Sequence, residues 1–206
     1  MVMNFVGLVG WVAAWFGLIG VLVVFLSPGF IPLVVPFMMV AFYRAFVQLA
    51  YFPAAARMHR VLLNYPWQHL SAVPRGLGKH PDAQDDGMWF EISNPADPGR
   101  MIPLVFLKST RSFWWIKRIG GPRTNPELKA QIEPLWFAGD PRYIAVVAAS
   151  GRENKAPRRL HFLYQRAAFD RRIPPASWGA SPDDLERARR AGAQVPEHAP
   201  SPPRPY

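Results

Sequence analysis

From Met1 to Tyr43 the chain carries no charged side chain, and Arg44 is the first. Such a stretch is too long and too apolar for the core helix of a soluble domain. A bilayer core about 30 Å thick takes roughly 20 apolar residues per helical span. Extended to about Ala50, the stretch holds two such spans, about Phe5–Leu26 and about Phe30–Ala50, with the turn signal Ser27-Pro28-Gly29 between them. So short a connection makes the two helices antiparallel neighbours. A cleaved signal peptide would need a basic segment before the apolar run, and none precedes it.

The basic residues give the orientation. Residues 27–32 contain none, whereas Arg44, Arg57 and Arg60 cluster at and beyond the far end of the second span. By the positive-inside rule both termini are cytoplasmic and the 27–32 loop is external. The expected location is the bacterial cell membrane, as a multi-pass protein. Arg44 lies before the end of the second span. It is expected to snorkel to the headgroups, since neither span holds an acidic partner for it. Gly10, Ala13, Ala14, Gly17 and Gly20 recur at helical spacing on the first span. They suit close packing either within the hairpin or along a homodimer seam.

The remainder divides by composition. Residues 1–52 form the hairpin, and 53–86 a connector in which Pro53 breaks or restarts the helix and Ser71–Asp86 is a loop. Residues 87–170 form a soluble β domain, and 171–206 a Pro- and Arg-rich tail that is mostly disordered apart from a brief helix at Pro182–Ala191. Strand patterns fall at Met88–Ser93, Met101–Leu107, Phe113–Ile119, Leu135–Ala138, Tyr143–Ala149 and Leu160–Gln165, and Pro126–Ile132 is a short helix capped by Thr124 or Asn125. Short loops between successive strands exclude parallel βαβ units. The expected fold class is an α-helical transmembrane hairpin followed by a small, mainly antiparallel β (α+β) soluble domain.

Chemistry is sparse. With no cysteine there is no disulfide, thiolate metal site or cysteine nucleophile. His59, His69, His80, His161 and His198 are scattered without ligand spacing, and Asp82, Asp85 and Asp86 lack the repeated ligands of a calcium loop. Gly76-Leu77-Gly78-Lys79 is too short to cradle phosphate, and no nucleophile elbow or dinucleotide fingerprint occurs. No cofactor and no metal are expected, and no catalytic residue is assigned.

Net charge is +10, spread as +3 over residues 1–60, +5 over 61–170 and +2 over 171–206. Spread positive charge favours an anionic lipid surface over a dedicated nucleic-acid reader. One segment stands out: KSTRSFWWIKRIGGPR, residues 108–123. There Lys108, Arg111, Lys117, Arg118 and Arg123 interleave with aromatics including Trp114 and Trp115. Such a mixture docks on anionic headgroups, stacks nucleic-acid bases, or is a solvated strand edge with one tryptophan in the core. The hairpin holds the segment near headgroups, which favours lipid over nucleic acid. Arg57 and Arg60, on a basic amphipathic connector, belong to the same membrane interface.

An uncharged hairpin followed by RVLLNYPWQ, GDPRYIAVVAASG and LHFLYQ resembles integral membrane proteins of actinobacterial type, over residues 30–166. That resemblance implies an anchor and a small β domain, and no activity or site residue. The order of parts is also similar to bacterial membrane proteins with pleckstrin-homology-like domains, a likeness of architecture alone. The function expected is a membrane-anchored, non-enzymatic module binding a protein partner or the inner leaflet. A nucleic-acid contact at the membrane and an enzyme of unrecognised type are the alternatives.

The orientation is directly testable, because the chain has no cysteine of its own. Single cysteines at Gly29 and Ser150 are expected to differ in intact cells: an impermeant thiol reagent labels position 29 and not 150. Labelling of 150 alone reverses the topology.

Overall fold

The computed structural model describes residues 2–25, 27–81, 86–109, 112–120, 124–150, 156–169 and 178–195. The chain divides into two compact units, Met1–Ala56 and Arg57–Tyr206.

The first unit is built on two helices. α1 spans Val2–Val24 and α2 spans Ile31–Asn64, with a single 3-10 turn at Pro28–Phe30 between them. Both helices are long and apolar enough to cross a membrane, with mean hydropathies of 2.2 and 1.7. They pair antiparallel: Asn4 donates to the Gln48 carbonyl at 3.2 Å, the Arg44 guanidinium stands 5.9 Å from the Trp11 ring, and Trp15 meets Phe42 at 6.3 Å. The partly covered positions of α1 include Gly7, Trp11, Trp15, Leu18 and Leu22, one helical stripe.

Pro53 does not break α2, and neither does Pro36. A proline removes one backbone hydrogen bond but leaves the flanking turns intact where helix formers surround it, as in Ala54-Ala55-Ala56-Arg57-Met58. The separate connector helix expected after residue 53 is therefore the last part of α2.

The second unit is a seven-stranded, wholly antiparallel sheet in the order β1-β5-β6-β7-β4-β3-β2. Its strands are β1 Gln68–Leu70, β2 Arg75–Lys79, β3 Asp86–Asn94, β4 Asp97–Phe106, β5 Leu135–Asp140, β6 Ile144–Ser150 and β7 Pro157–Tyr164. The two edge strands, β1 and β2, are successive in the chain. β1 lies on β5 and β2 on β3, while the Pro74 carbonyl between them accepts the Glu91 N–H at 2.9 Å. One bent run of chain thus covers both edges of the sheet, which curls round a single core and leaves little open edge. Ala72, at φ 55°, makes the bend. Ser71–Asp86, expected as a loop, therefore contains an edge strand; Asp82 and Asp85 lie outside the described residues.

The inward set follows the strand period: Phe90 and Ile92 on β3, Leu104 and Phe106 on β4, Leu135 and Phe137 on β5, Ala145 and Val147 on β6, and Leu163 on β7. β6 is buried along Ile144–Ala149 on both faces, which its small apolar residues permit. At Gly139, φ 140°, an added Cβ would stand 2.5 Å from the Ala145 backbone, so the β5–β6 hairpin closes only with glycine there. The β3–β4 turn is tighter than expected, with Pro95-Ala96 alone between the strands, and the Asn94 side chain accepts the Ala96 N–H at 3.1 Å. Pro103 is tolerated because β7 pairs with β4 only at Val105 and Phe106, leaving Pro103 paired on one side.

Among the described residues four short helices complete the unit: α3 Ser112–Ile119, α4 Pro126–Ala130, α5 Arg166–Phe169 and α6 Pro182–Arg190. Phe113–Ile119 is thus helical and not the third strand expected. Asn125 caps α4, its side chain accepting the Glu127 N–H at 2.9 Å. Ser181 and Asp184 form a capping box that starts α6.

The tail is not separate from the domain over residues 178–195. Trp178 is 4% exposed, and Ala188 and Ala191 are buried. The Trp178 carbonyl accepts from the buried Asn94 side chain at 3.1 Å. Arg142, 3% exposed, holds Asp140 in two-pronged fashion at 2.6 and 2.9 Å and Asp184 of α6 at 2.9 Å. It also donates to the Gly179 carbonyl. The composition of residues 171–206 conceals this, because one tryptophan and one aspartate do the fastening. Removing one member of a buried ion pair costs about 3–5 kcal/mol. Arg142→Ala is expected to lower stability by about that amount in denaturant titration of the detergent-solubilised chain. An unchanged midpoint would show that α6 is held by other means.

Candidate functional site

The segment singled out from the sequence forms α3 with part of its surroundings. The spacing of Ser112, Trp115 and Ile119, all buried, defines the helix face turned to the sheet. Trp115 is 1% exposed. Its ring meets Phe106 and Phe90 at centroid distances of 5.5 and 6.2 Å, and its indole N–H donates to the Arg159 carbonyl at 3.0 Å. Trp115 is therefore a core residue and leaves the list of candidate surface residues. The high aromatic content suggested a strand, but the three- and four-residue spacing of the buried positions was the signal for a helix.

What Trp115 buries decides what the helix exposes. Phe113 and Ile116 are 62% and 41% exposed. Lys117 sits 4.7 Å over the Phe113 ring, and Arg118 lies 3.8 Å over Trp114. Arg159 of β7 reaches the same Trp114 ring at 5.7 Å. Arg118 is fixed further by donating to the Gln131 side chain at 2.7 and 2.9 Å and to the Trp114 carbonyl at 3.1 Å. Burial, and then the nearby Arg159 charge, hold the Arg118 pKa below its usual value; the group stays cationic at neutral pH. Lys108 is exposed just before the helix, while Arg111 and Arg123 lie outside the described residues. The structure thus brings Trp114, Lys117 and Arg118 together and adds Phe113, Ile116 and Arg159, the last unmarked by the sequence because it is distant along the chain.

The start of α3 is tied to β7 by a residue passed over in the sequence. His161 is buried, with its Nδ1 facing the Phe162 carbonyl at 3.1 Å. A carbonyl only accepts, so Nδ1 carries the proton and the one lone pair of Nε2 accepts from Ser112 at 3.0 Å, with the Ser109 hydroxyl 3.3 Å away. A serine beside a histidine base has the elements of a nucleophile. Here both Ser112 and His161 are buried, and burial pushes the His161 pKa down to about 4, which makes it a weak base. The group serves as a clasp between helix and strand.

A half-open cleft of about 430 Å³ lies at one end of the sheet, lined by Gln68, Ala72, Glu91, Ser93, Met101 and Phe137 among others. Glu91 there is engaged by His80 at 2.7 Å. Among the described residues no group of three His, Asp or Glu side chains is placed to hold a metal ion.

In the first unit, Arg44 lies against Trp11. Arg57 and Arg60 belong to the second unit and are exposed on the last part of α2; within that unit Arg60 passes Gly192, 3.3 Å from where a Cβ would stand. Gly10, Gly17 and Gly20 have open space at that position, and Ala13 and Ala14 are exposed. The small-residue stripe is therefore not what packs the hairpin together; the tryptophan stripe is.

Comparison with protein families, with curated proteins and with solved structures finds no match for this chain.

The buried histidine gives a pH signature. Its folded pKa, about 4, lies below the ordinary value of 6.5. Between these values the unfolded chain binds a proton that the folded one does not. The contribution of neutral His161 is complete above about pH 6.5 and is lost as pH falls toward 4, on the order of 3 kcal/mol in all. Stability measured across this window is expected to fall less steeply in His161→Asn than in the native chain. Parallel curves would assign the acid sensitivity to other groups.

Proposed function

We propose that this chain is a membrane-anchored, non-enzymatic module whose β domain docks on the anionic surface of the inner leaflet through α3. The observation that carries this reading is the exposed face of α3, where Phe113 and Ile116 stand out of the domain beside Lys117. Apolar side chains on a short helix rimmed by cations suit the boundary between headgroups and acyl chains. The anchor is the hairpin of α1 and the first part of α2. Twenty-three residues of α1 give a rod of about 34 Å, enough for one crossing. The 34 residues of α2 give about 51 Å, so the helix runs on past the hydrocarbon into the cytoplasm. Arg57 and Arg60 fall in that overhang, at headgroup level or beyond. The open glycine stripe of α1 is, in this reading, where a second copy packs.

A nucleic-acid contact is less well served by the same face. Base stacking needs an open aromatic ring, whereas Trp114 is covered by Arg118 at 3.8 Å and the Phe113 ring carries Lys117 at 4.7 Å.

Amide hydrogen exchange of the full chain in nanodiscs tests the proposal. In discs containing phosphatidylglycerol, residues 112–119 are expected to exchange more slowly than in phosphatidylcholine discs, and high salt reverses the difference. Each basic group near an anionic surface contributes about 1 kcal/mol. Lys117→Gln with Arg118→Gln is expected to weaken docking roughly ten- to thirtyfold. Identical exchange in the two kinds of disc would overturn the proposal.

A further inference from the structure

We infer that Arg118 and Arg159, drawn together on the Trp114 ring, clamp the phosphate of an anionic phospholipid headgroup. The inference deepens the docking reading and rests on it: α3 meets a headgroup at a defined site, and not only a charged surface.

The two guanidiniums stand 3.8 and 5.7 Å from one indole centroid, on elements 41 residues apart in the chain. No carboxylate among the described residues pairs with either of them. Two like charges gathered without a counter-charge repel each other, and an anion between them turns that cost into binding energy.

Arg118 is already set for such a guest. Its Nε and one N–H of Nη2 hold the Gln131 side chain, and one N–H of Nη1 holds the Trp114 carbonyl. A guanidinium has five N–H groups, so one remains on each Nη. Fixed donors of this kind recognise phosphate oxygens with little loss of side-chain freedom. Arg159 is held differently. Its backbone is left-handed at φ 57°, a conformation costing about 1–2 kcal/mol outside glycine. The Trp115 indole bonds the Arg159 carbonyl in that conformation, while the side chain reaches Trp114.

The neighbours select the source of the phosphate. Phe113 and Ile116 project from the same helix and are exposed. A soluble phosphate gains nothing from Phe113, the nearer of the two, whereas a phospholipid offers its glycerol and acyl region to that ring.

The test titrates the full chain, in neutral maltoside micelles, with dihexanoyl phosphatidic acid, dihexanoyl phosphatidylcholine and glycerol 3-phosphate, reading affinity by thermophoresis. Phosphatidic acid is expected to bind at least tenfold more tightly than either comparator. Arg159→Lys keeps the charge and loses the two-pronged donor, and it is expected to weaken phosphatidic acid binding tenfold or more. Arg118→Gln does the same. Arg100→Gln, an exposed position on β4 outside the α3 face, is expected to change it less than threefold. Unfolding curves that match the native chain's show that Arg159→Lys is folded; if it is not, Arg118→Gln carries the test.

Native affinity in Arg159→Lys, or equal losses in all three variants, would leave surface charge alone and overturn the clamp while the docking reading stands. Glycerol 3-phosphate binding as tightly as the lipid would overturn the lipid source. Loss of the exchange difference between nanodiscs removes both readings together.

Discussion

The burial of Trp115 sets which face of α3 the second unit turns outward. Its ring fills the space between Phe90 and Phe106 in the core, and its indole N–H finds the Arg159 carbonyl. A buried tryptophan usually pairs its N–H, and here that contact joins the rotation of α3 to the left-handed backbone of Arg159. Once Trp115 faces inward, helical geometry turns Phe113, Ile116 and Lys117 outward. The Ser109, Ser112 and His161 clasp holds the start of the same helix. The exposed apolar side chains are thus imposed by the core and are not a by-product of a loose segment.

A second constraint acts on the sheet. Its two edges are taken by consecutive strands, β1 and β2, so the chain's entry into the domain also seals it. The opposite end of the chain is fastened by Arg142, which joins the β5–β6 turn to α6 through Asp140 and Asp184. An ion pair this buried adds less to stability than its short distances suggest, because desolvation opposes it, but it allows few alternative arrangements of α6. Tyr65 and Tyr143 are buried nearby, and burial together with the Asp140 charge raises both of their pKa values, keeping the hydroxyls protonated.

Much of the architecture was legible in the sequence where one strong signal dominated. The absence of charge before Arg44 marks the two long helices, and Gly139-Asp140-Pro141 marks the β5–β6 hairpin. The rest was hidden for definable reasons. Phe113–Ile119 has the residue types of a strand and the spacing of a helix, and the spacing prevailed because Trp115 and Ile119 share one buried face. Pro53 breaks most helices, but here one lost hydrogen bond is outweighed by the turns on either side. β2 is glycine-rich because Trp89 lies over Gly76, where a Cβ would meet the indole at 2.3 Å, a requirement that no local pattern displays. At the candidate site Trp114, Lys117 and Arg118 were legible as a cluster, whereas Arg159 and His161 join it only through the pairing of β7.

The proposed entry of the exposed α3 face into the membrane boundary has a depth that can be read directly. Single spin labels at positions 113, 116 and 127 of the full chain, in liposomes containing phosphatidylglycerol, report collision with oxygen, which concentrates in lipid, and with a water-soluble nickel chelate. Labels at 113 and 116 are expected to be accessible to oxygen and shielded from nickel, with the reverse at 127 on α4. Equal access of nickel to all three positions would contradict the account.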